Sequence, residues 1–229
     1  LVKRLVSSPQ SQLRFIEQVI SIAKQYHLSG IEIDFENLTD IDAALLTQFY
    51  TLLYTQLSQE QLQLRIVIEP KMKFESISLP VGPQYVVMAY NLHGFHSAPG
   101  PKANIPFIGK LTARMEGLPQ NSTVAIATGG FMWSENGAIA AISEQQAVEL
   151  QKKASDNTIV RDEPSQAISF IYEDLKGEKH TIWYADHITL KHWIKAIQQR
   201  GFSNIAIWRL GQLTDETLAM LNQINETLK

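Results

Sequence analysis

The sequence predicts an α/β protein built as a parallel (β/α) barrel, and three observations carry that prediction. Short apolar strand-like runs alternate with amphipathic segments of helix length, the pattern of βαβ units. Gly129–Gly130 is the only glycine pair after a strand, and it matches no phosphate fingerprint of an open nucleotide-binding sheet. Polar side chains cluster where strands end: Asp34 and Glu36, Glu69, Tyr90 and Asn91, Trp208 and Arg209. Barrel enzymes place their chemistry at that end.

The elements follow in order. Ser8 can cap a first helix with Pro9 at its first position, and Leu13, Ile16, Ile20, Ala23 and Tyr26 mark its apolar stripe. Gly30–Phe35 reads as a short strand. A helix over about Asp40–Leu57 carries Leu45, Phe49, Leu52 and Leu53 on one face. Strands follow at Gln63–Glu69, stopped by Pro70, and at Tyr85–Tyr90, whose nearly continuous apolar run suits a strand covered on both sides. A helix near Ile105–Glu116 leads to a strand at Thr123–Thr128. Ser143 and Gln146 form a capping-box pattern that opens a helix to about Lys153. Ala167–Tyr172 and His180–Tyr184 read as a hairpin around Lys176–Gly177. A helix over about Thr189–Arg200, a strand at Asn204–Trp208 and a helix from about Asp215 complete the chain. The count is five parallel strands plus the hairpin.

The 229 residues suffice for a substantial core, and 45% hydrophobic with 19% charged residues is ordinary for a globular chain. A net charge of −3 leaves no electrostatic footprint for nucleic acid or an anionic membrane. No apolar run is long enough to span a bilayer. The absence of Cys excludes disulfide and thiol chemistry without deciding the compartment. Leu1 in place of Met suggests a processed or excised piece of a longer chain, with no targeting signal in view.

In Glu32-Ile33-Asp34-Phe35-Glu36, side chains two apart share a face of a strand. Glu32, Asp34 and Glu36 therefore point one way, and Ile31, Ile33 and Phe35 the other. Inside a barrel these acids would be buried, and mutual repulsion would raise at least one pKa, as a general acid near neutral pH requires. Spacing alone leaves a second reading equally open: an edge strand with its acids in water.

The segment Ser29–Glu36 resembles the D-G-x-D-x-D-x-E signature of family 18 glycoside hydrolases, the chitinase family. It is closest to the bacterial branch of spore-cortex-lytic N-acetylglucosaminidases, in which the line often ends IDFEN, as Ile33–Asn37 does. Further landmarks follow in order. Val87–Gly94 resembles the M-x-Y-D strand, Thr181–Asp186 the V-W-[FY]-x-D stretch, and Ile205–Gln212 the closing strand with its Trp. The resemblance implies a (β/α)8 TIM-barrel type fold in one catalytic domain over 1–229. A small α+β insertion at about 130–186 would precede the last strand.

It also implies retaining, substrate-assisted hydrolysis of β-1,4 bonds next to N-acetylglucosamine in chitin or peptidoglycan. Glu36 would protonate the glycosidic oxygen, Asp34 would orient the acetamide, and Tyr90 would donate to the acetamide oxygen. Glu32, Asn91, Trp208 and Trp133 would contact substrate, with Trp208 as the floor of the sugar site. Glu32 and Asn91 depart from the family pattern, which has Asp at both places. Neither a cofactor nor a metal is implied. The expected partner is an N-acetylated polysaccharide or oligosaccharide, with no nucleic acid and no membrane, and the expected location is secreted or at the bacterial cell envelope. A non-catalytic carbohydrate-binding domain of the same fold is the alternative. A structural remnant that oligomerises through an open edge is the third reading.

Other residues divide between packing and function. Trp133 reads equally as a sugar platform or as hydrophobic cover. One of Trp183 and Tyr184 belongs to the core. Glu69 reads as a polar strand end, with a place facing the barrel mouth as its alternative, and His93 with His96 lacks a third ligand for zinc. His180 and Asp186 read as packing residues. Arg209 reads as the partner of an interior carboxylate or as one half of a surface ion pair. By the family's strand order Gly30–Glu36 is the fourth of eight, so the barrel is incomplete, with strands 4–8 represented. Either the native chain is longer, or another copy of the chain supplies the edge in a homo-oligomer, or the sheet is open.

Overall fold

A computed structural model describes residues 1–38, 41–119 and 122–227. The chain divides into two compact units, 1–88 with 113–123, and 89–112 with 124–229.

The first unit opens with a short helix, α1 (Val2–Val6), and continues into α2 (Pro9–Gln25). Ser8 caps α2 as expected, its hydroxyl accepting from the Ser11 N–H at 3.3 Å with Pro9 in the first turn. The buried stripe runs through Gln12, Ile16 and Ala23, so Leu13 and Tyr26 of the expected stripe lie in solvent. β1 (Gly30–Ile33) follows, then α3 (Ala43–Gln59). The expected start of that helix, Asp40, lies outside the described residues. Asp42 caps it, accepting from the Ala44 and Leu45 N–H groups at 2.7 and 3.4 Å. Its inward face is Leu46, Phe49, Tyr50, Leu53 and Leu57, one position on from the expected Leu45 and Leu52.

β2 (Gln63–Ile68) and β3 (Gln84–Met88) complete a parallel set with β1. Both are apolar almost throughout, as strands covered on two faces must be. Gly30 is required by close approach, because a Cβ there would sit 2.4 Å from the Gln63 carbonyl oxygen.

Helix α4 (Ile105–Met115) leads to β4 (Thr123–Ala127). In the second unit β4 pairs in parallel with the last strand, Ile205–Trp208. Between them in sequence lies a five-stranded sheet: β5 (Gly129–Ser134), β6 (Ile139–Ile142), β7 (Val160–Arg161), β8 (Ile168–Glu173) and β9 (Lys179–Ala185). Its pairings are antiparallel, in the order β6-β5-β9-β8-β7. Only the β8–β9 hairpin was expected, so the region is larger in β structure than the sequence suggests. Gly129 and Gly130 open β5 because a Cβ on Gly130 would lie 1.8 Å from the Trp183 carbonyl oxygen on β9. The pair serves sheet packing, not a phosphate.

Helix α5 (Glu144–Gln151) begins with the expected capping box, Ser143 and Gln146 each accepting from the other's backbone N–H. Its Ala147 packs on Ile168, Phe170, Ile182 and Tyr184, the core of this sheet. Tyr184 is therefore the inward member of the Trp183–Tyr184 pair, and its hydroxyl reaches Gln151 at 2.5 Å. Helix α6 (His187–Gln198), strand β10 (Ile205–Trp208) and helix α7 (Asp215–Thr227) finish the unit.

Asp186 caps α6 and ties β7 to it. Its carboxylate accepts from the Thr189 N–H and hydroxyl at 2.9 and 2.8 Å, and from both terminal nitrogens of Arg161 at 3.1 and 2.6 Å. Burial alone would raise its pKa, but these donors outweigh burial and hold the carboxyl below the usual range. Its stabilisation is thus present above the unfolded pKa and is lost as pH falls through the folded one. Asp186→Ala should lower the unfolding free energy in urea by about 3 kcal/mol at neutral pH. The difference should shrink below about pH 4; a loss constant with pH would assign the effect to packing instead.

Candidate active site

The carboxylate segment is positioned by its apolar face. Ile33 is buried, and the Phe35 ring lies 6.2 Å from both Phe15 of α2 and Phe49 of α3. Period-2 alternation then turns Glu32, Asp34 and Glu36 to the other side. All three are exposed, which corrects the expectation of a buried interior row. The reason is that β1 is an edge strand among the described residues, paired with β2 alone. Glu32 faces its register partner Arg65 across this pair at 3.0 Å.

Asp34 and Glu36 lie just beyond the end of β1. Partial loss of hydration raises the pKa of Asp34. The same cause raises Glu36, and the negative charges of Asp34 and Glu69 raise it further. Glu69 follows the end of β2, and its Oε2 accepts from the Asn37 backbone N–H at 2.6 Å. It holds the turn at Asn37, whose φ of 58° is left-handed, immediately after Glu36. The sequence leaves Glu69 as a strand end or a group at the barrel mouth; its place depends on a contact 32 residues away. A cavity of about 450 Å³ opens beside Glu69, lined by Asn37, Leu46, Lys71 and Met72 among others; Asp34 and Glu36 do not line it.

In the second unit Tyr90 is half-buried, one residue past the Ala89 N–H that donates to the Ala125 carbonyl at 2.7 Å. Asn91 is exposed with φ of 67°, a conformation that Asn tolerates better than most residues. Trp208 ends β10 with 56% of its surface exposed. Thr128 holds this strand end twice, its N–H donating to the Trp208 carbonyl at 2.8 Å and its hydroxyl to the Arg209 carbonyl at 2.9 Å.

Trp133 is 7% exposed, and its indole N–H is spent on the Ser97 carbonyl at 3.0 Å. Its ring lies against Phe131, which fits the cover reading and not the platform. Arg209 is exposed and joins no ion pair among the described residues, so neither expected pairing is present. His180 is buried and close to Ser134, its Nδ1 lying 2.8 Å from that hydroxyl. Its ligand atoms come within 4.8 Å of those of Asp174 and Glu178, a grouping the sequence did not suggest. Asp174 there already accepts from the Lys176 and Glu178 N–H groups of the hairpin turn.

Glu69→Gln keeps an acceptor for the Asn37 N–H and removes one charge near Glu36. A carboxyl titration followed by NMR should show the Glu36 pKa fall in this variant. An unchanged value would mean that Glu69 does not act on Glu36.

The sequence matches the glycosyl hydrolases family 18 over residues 3–212. An uncharacterized glycosylase of Bacillus subtilis, YvbX, is 24% identical over 225 residues, covering 92% of this chain and 65% of the relative. The cortical fragment-lytic enzyme of the same organism is 23% identical over 248 residues, covering 98% and 56%. The chain thus spans between half and two thirds of the length of these curated relatives. Among solved structures, the Bacillus megaterium spore cortex-lytic enzyme SleL superposes with a TM-score of 0.82 at 20% identity, covering 98% of this chain and 55% of that one. A Chromobacterium violaceum chitinase gives 0.82 at 18% identity, covering 97% and 74%. The fold is α/β of the TIM-barrel type, represented by five parallel strands among the described residues, where a full barrel has eight. The chain belongs to glycoside hydrolase family 18.

Proposed function

We propose that this chain carries the acid of a retaining glycosidase that cuts β-1,4 bonds next to N-acetylglucosamine in peptidoglycan or chitin. The observation that carries the reading is Glu36: a carboxyl at the end of a parallel strand, its pKa raised by lost hydration and by two neighbouring acids. A raised pKa keeps the acid form present at higher pH, which suits proton donation to a glycosidic oxygen. Asp34, two residues earlier, orients the 2-acetamido group whose carbonyl is the nucleophile, so no enzyme carboxylate attacks the sugar. Tyr90 donates to the acetamide oxygen. Trp208 offers its exposed ring to the C–H face of the sugar. Glu32 and Asn91 contribute polar contacts, and Trp133 is assigned to cover a loop.

In this reading residues 1–229 belong to one catalytic domain, with the antiparallel β5–β9 region as its insertion. The cortex-lytic names of two relatives favour a cell-wall glycan and a secreted or envelope location. No helix among the described residues is long and apolar enough to cross a membrane. A second reading, a carbohydrate-binding domain without turnover, is favoured by Asn91, which stands where the motif has Asp.

Incubation with chito-oligosaccharides and with peptidoglycan separates the two. Turnover with retained configuration supports the enzyme; binding without turnover supports the second reading. Glu36→Gln should cut kcat by about 10²–10⁴-fold. It should not destabilise the chain at neutral pH, because a carboxyl with a raised folded pKa loses its stabilising contribution as pH rises. Full activity in Glu36→Gln would overturn the assignment. The wild-type rate should fall as pH rises through the Glu36 pKa.

A further inference from the structure

A second cavity, about 480 Å³, lies wholly in the second unit at the end of β10. Trp208, Arg209, Lys102, Thr128, Ser143 and Gln212 are among its lining residues. No Asp or Glu lines it. In a chain of 23 acidic and 20 basic residues, a cavity holding two cations and no acid runs against the overall charge.

Neither cation is neutralised. Lys102 and Arg209 join no ion pair among the described residues. Lys102 gives one of its three donors to the Thr128 carbonyl at 2.6 Å, and its ammonium stands 5.1 Å from the centre of the Phe131 ring. Burial pushes its pKa down to about 8, so it remains mostly protonated at neutral pH, a charge held from water without a counter-ion. An anion entering the cavity would supply one.

The wall is also fixed in advance. Thr128 holds the Trp208 and Arg209 carbonyls. The Gln145 N–H and side chain donate to the Gln212 and Leu213 carbonyls at 3.1 and 2.8 Å. Glu144, 1% exposed, accepts from the Thr214 N–H and from the hydroxyls of Thr214 and Thr217. The segment after β10 is therefore pinned to α5, and little ordering remains to be done on binding.

We propose that this cavity is a carboxylate-binding subsite, and that it selects N-acetylated glycans bearing an acidic substituent beside the sugar held at Trp208. The inference rests on the glycosidase reading for the place of the sugar. The carboxylate can belong to the lactyl ether of a muramic residue or to a stem peptide attached there. Chitin has neither.

The test compares three substrates of equal glycan length with the full chain. They are a neutral N-acetylglucosamine oligomer, an N-acetylglucosamine–N-acetylmuramic acid oligomer with free lactyl carboxylates, and the same oligomer carrying stem peptides. One of the two acidic substrates should exceed the neutral one in kcat/KM by about 10–100-fold, the scale of a charge-assisted hydrogen bond, and which one does so identifies the carboxylate. Lys102→Met and Arg209→Gln should each raise KM for that substrate and leave the neutral one unchanged. Added salt should erode the preference. Equal rates on all three substrates, or variants that slow all three alike, would overturn the proposal. Arg209 is exposed, so its variant remains informative if Lys102→Met unfolds. Calorimetric titration of Glu36→Gln with the acidic and neutral oligomers reads the subsite without turnover. Preferential acidic binding with no hydrolysis by wild type would uphold the subsite and sink the glycosidase reading, and equal binding would sink the subsite.

Discussion

The packing of Phe35 between Phe15 and Phe49 sets the direction of every acid in the segment. The three rings have centroids 5.9–6.2 Å apart, and such pairs contribute about 0.5–1.5 kcal/mol each beyond the area they bury. With Phe35 and Ile33 seated on the helices, a one-residue slip would put Glu36 or Asp34 into that aromatic cluster. Desolvating a carboxylate there would cost several kcal/mol, so the register is strongly specified. The Glu32–Arg65 pair cannot play this part. Both side chains are more than 40% exposed, and exposed pairs contribute about 0–1 kcal/mol. Gly30 adds a steric condition at the start of the strand, where no side chain fits against Gln63.

That arrangement has an electrostatic consequence at the end of the strand. Asp34 and Glu69 are brought near enough to Glu36 to disfavour its ionisation. Glu69 bears on both structure and charge, since its hydrogen bond closes the turn at Asn37 while its charge raises Glu36. A protein selected only for stability would place a donor or a cation there. Here the neighbouring acids instead keep a carboxyl at the end of β1 easier to protonate.

Much of the scaffold was legible because it depends on local chemistry. Ser8 with Pro9, the Ser143–Gln146 box and the glycine of the Lys176–Gly177 turn each act within a few residues. The parallel strands were legible from their apolar runs. β5 and β6, inside the expected α+β insertion, were not picked out because Gly129–Gly130 and Ser134–Gly137 are rich in turn-forming residues and Ile139–Ile142 is short and rich in Ala. β5 is stabilised by β9, some 50 residues on, through Gly130's fit against Trp183. The site was legible as a list of acids and not as an environment. Alternation placed three acids on one face, but only tertiary contacts show that the face is exposed, that Glu69 reaches Asn37, and that Ser97 takes the Trp133 indole.

The buried or hydrogen-bonded carboxylates explain why Glu36 stands out. Glu144 is enclosed and receives three donors from Thr214 and Thr217. Asp186 receives four from Arg161 and Thr189, which outweigh its burial. Each has its acceptor oxygens occupied and holds two elements together, which is a structural use of a carboxyl group. Asp34 and Glu36 have no hydrogen-bond donor among the described residues, and their surroundings disfavour the anion. A carboxyl of this kind contributes little to stability and is free to exchange its proton. The same contrast holds among the cations: Arg161 is saturated by Asp186, whereas Lys102 stands over a cavity with donors to spare. Lys102 and Arg209, which join no ion pair among the described residues, thus border one cavity, whose wall the matched Glu144 helps to fix.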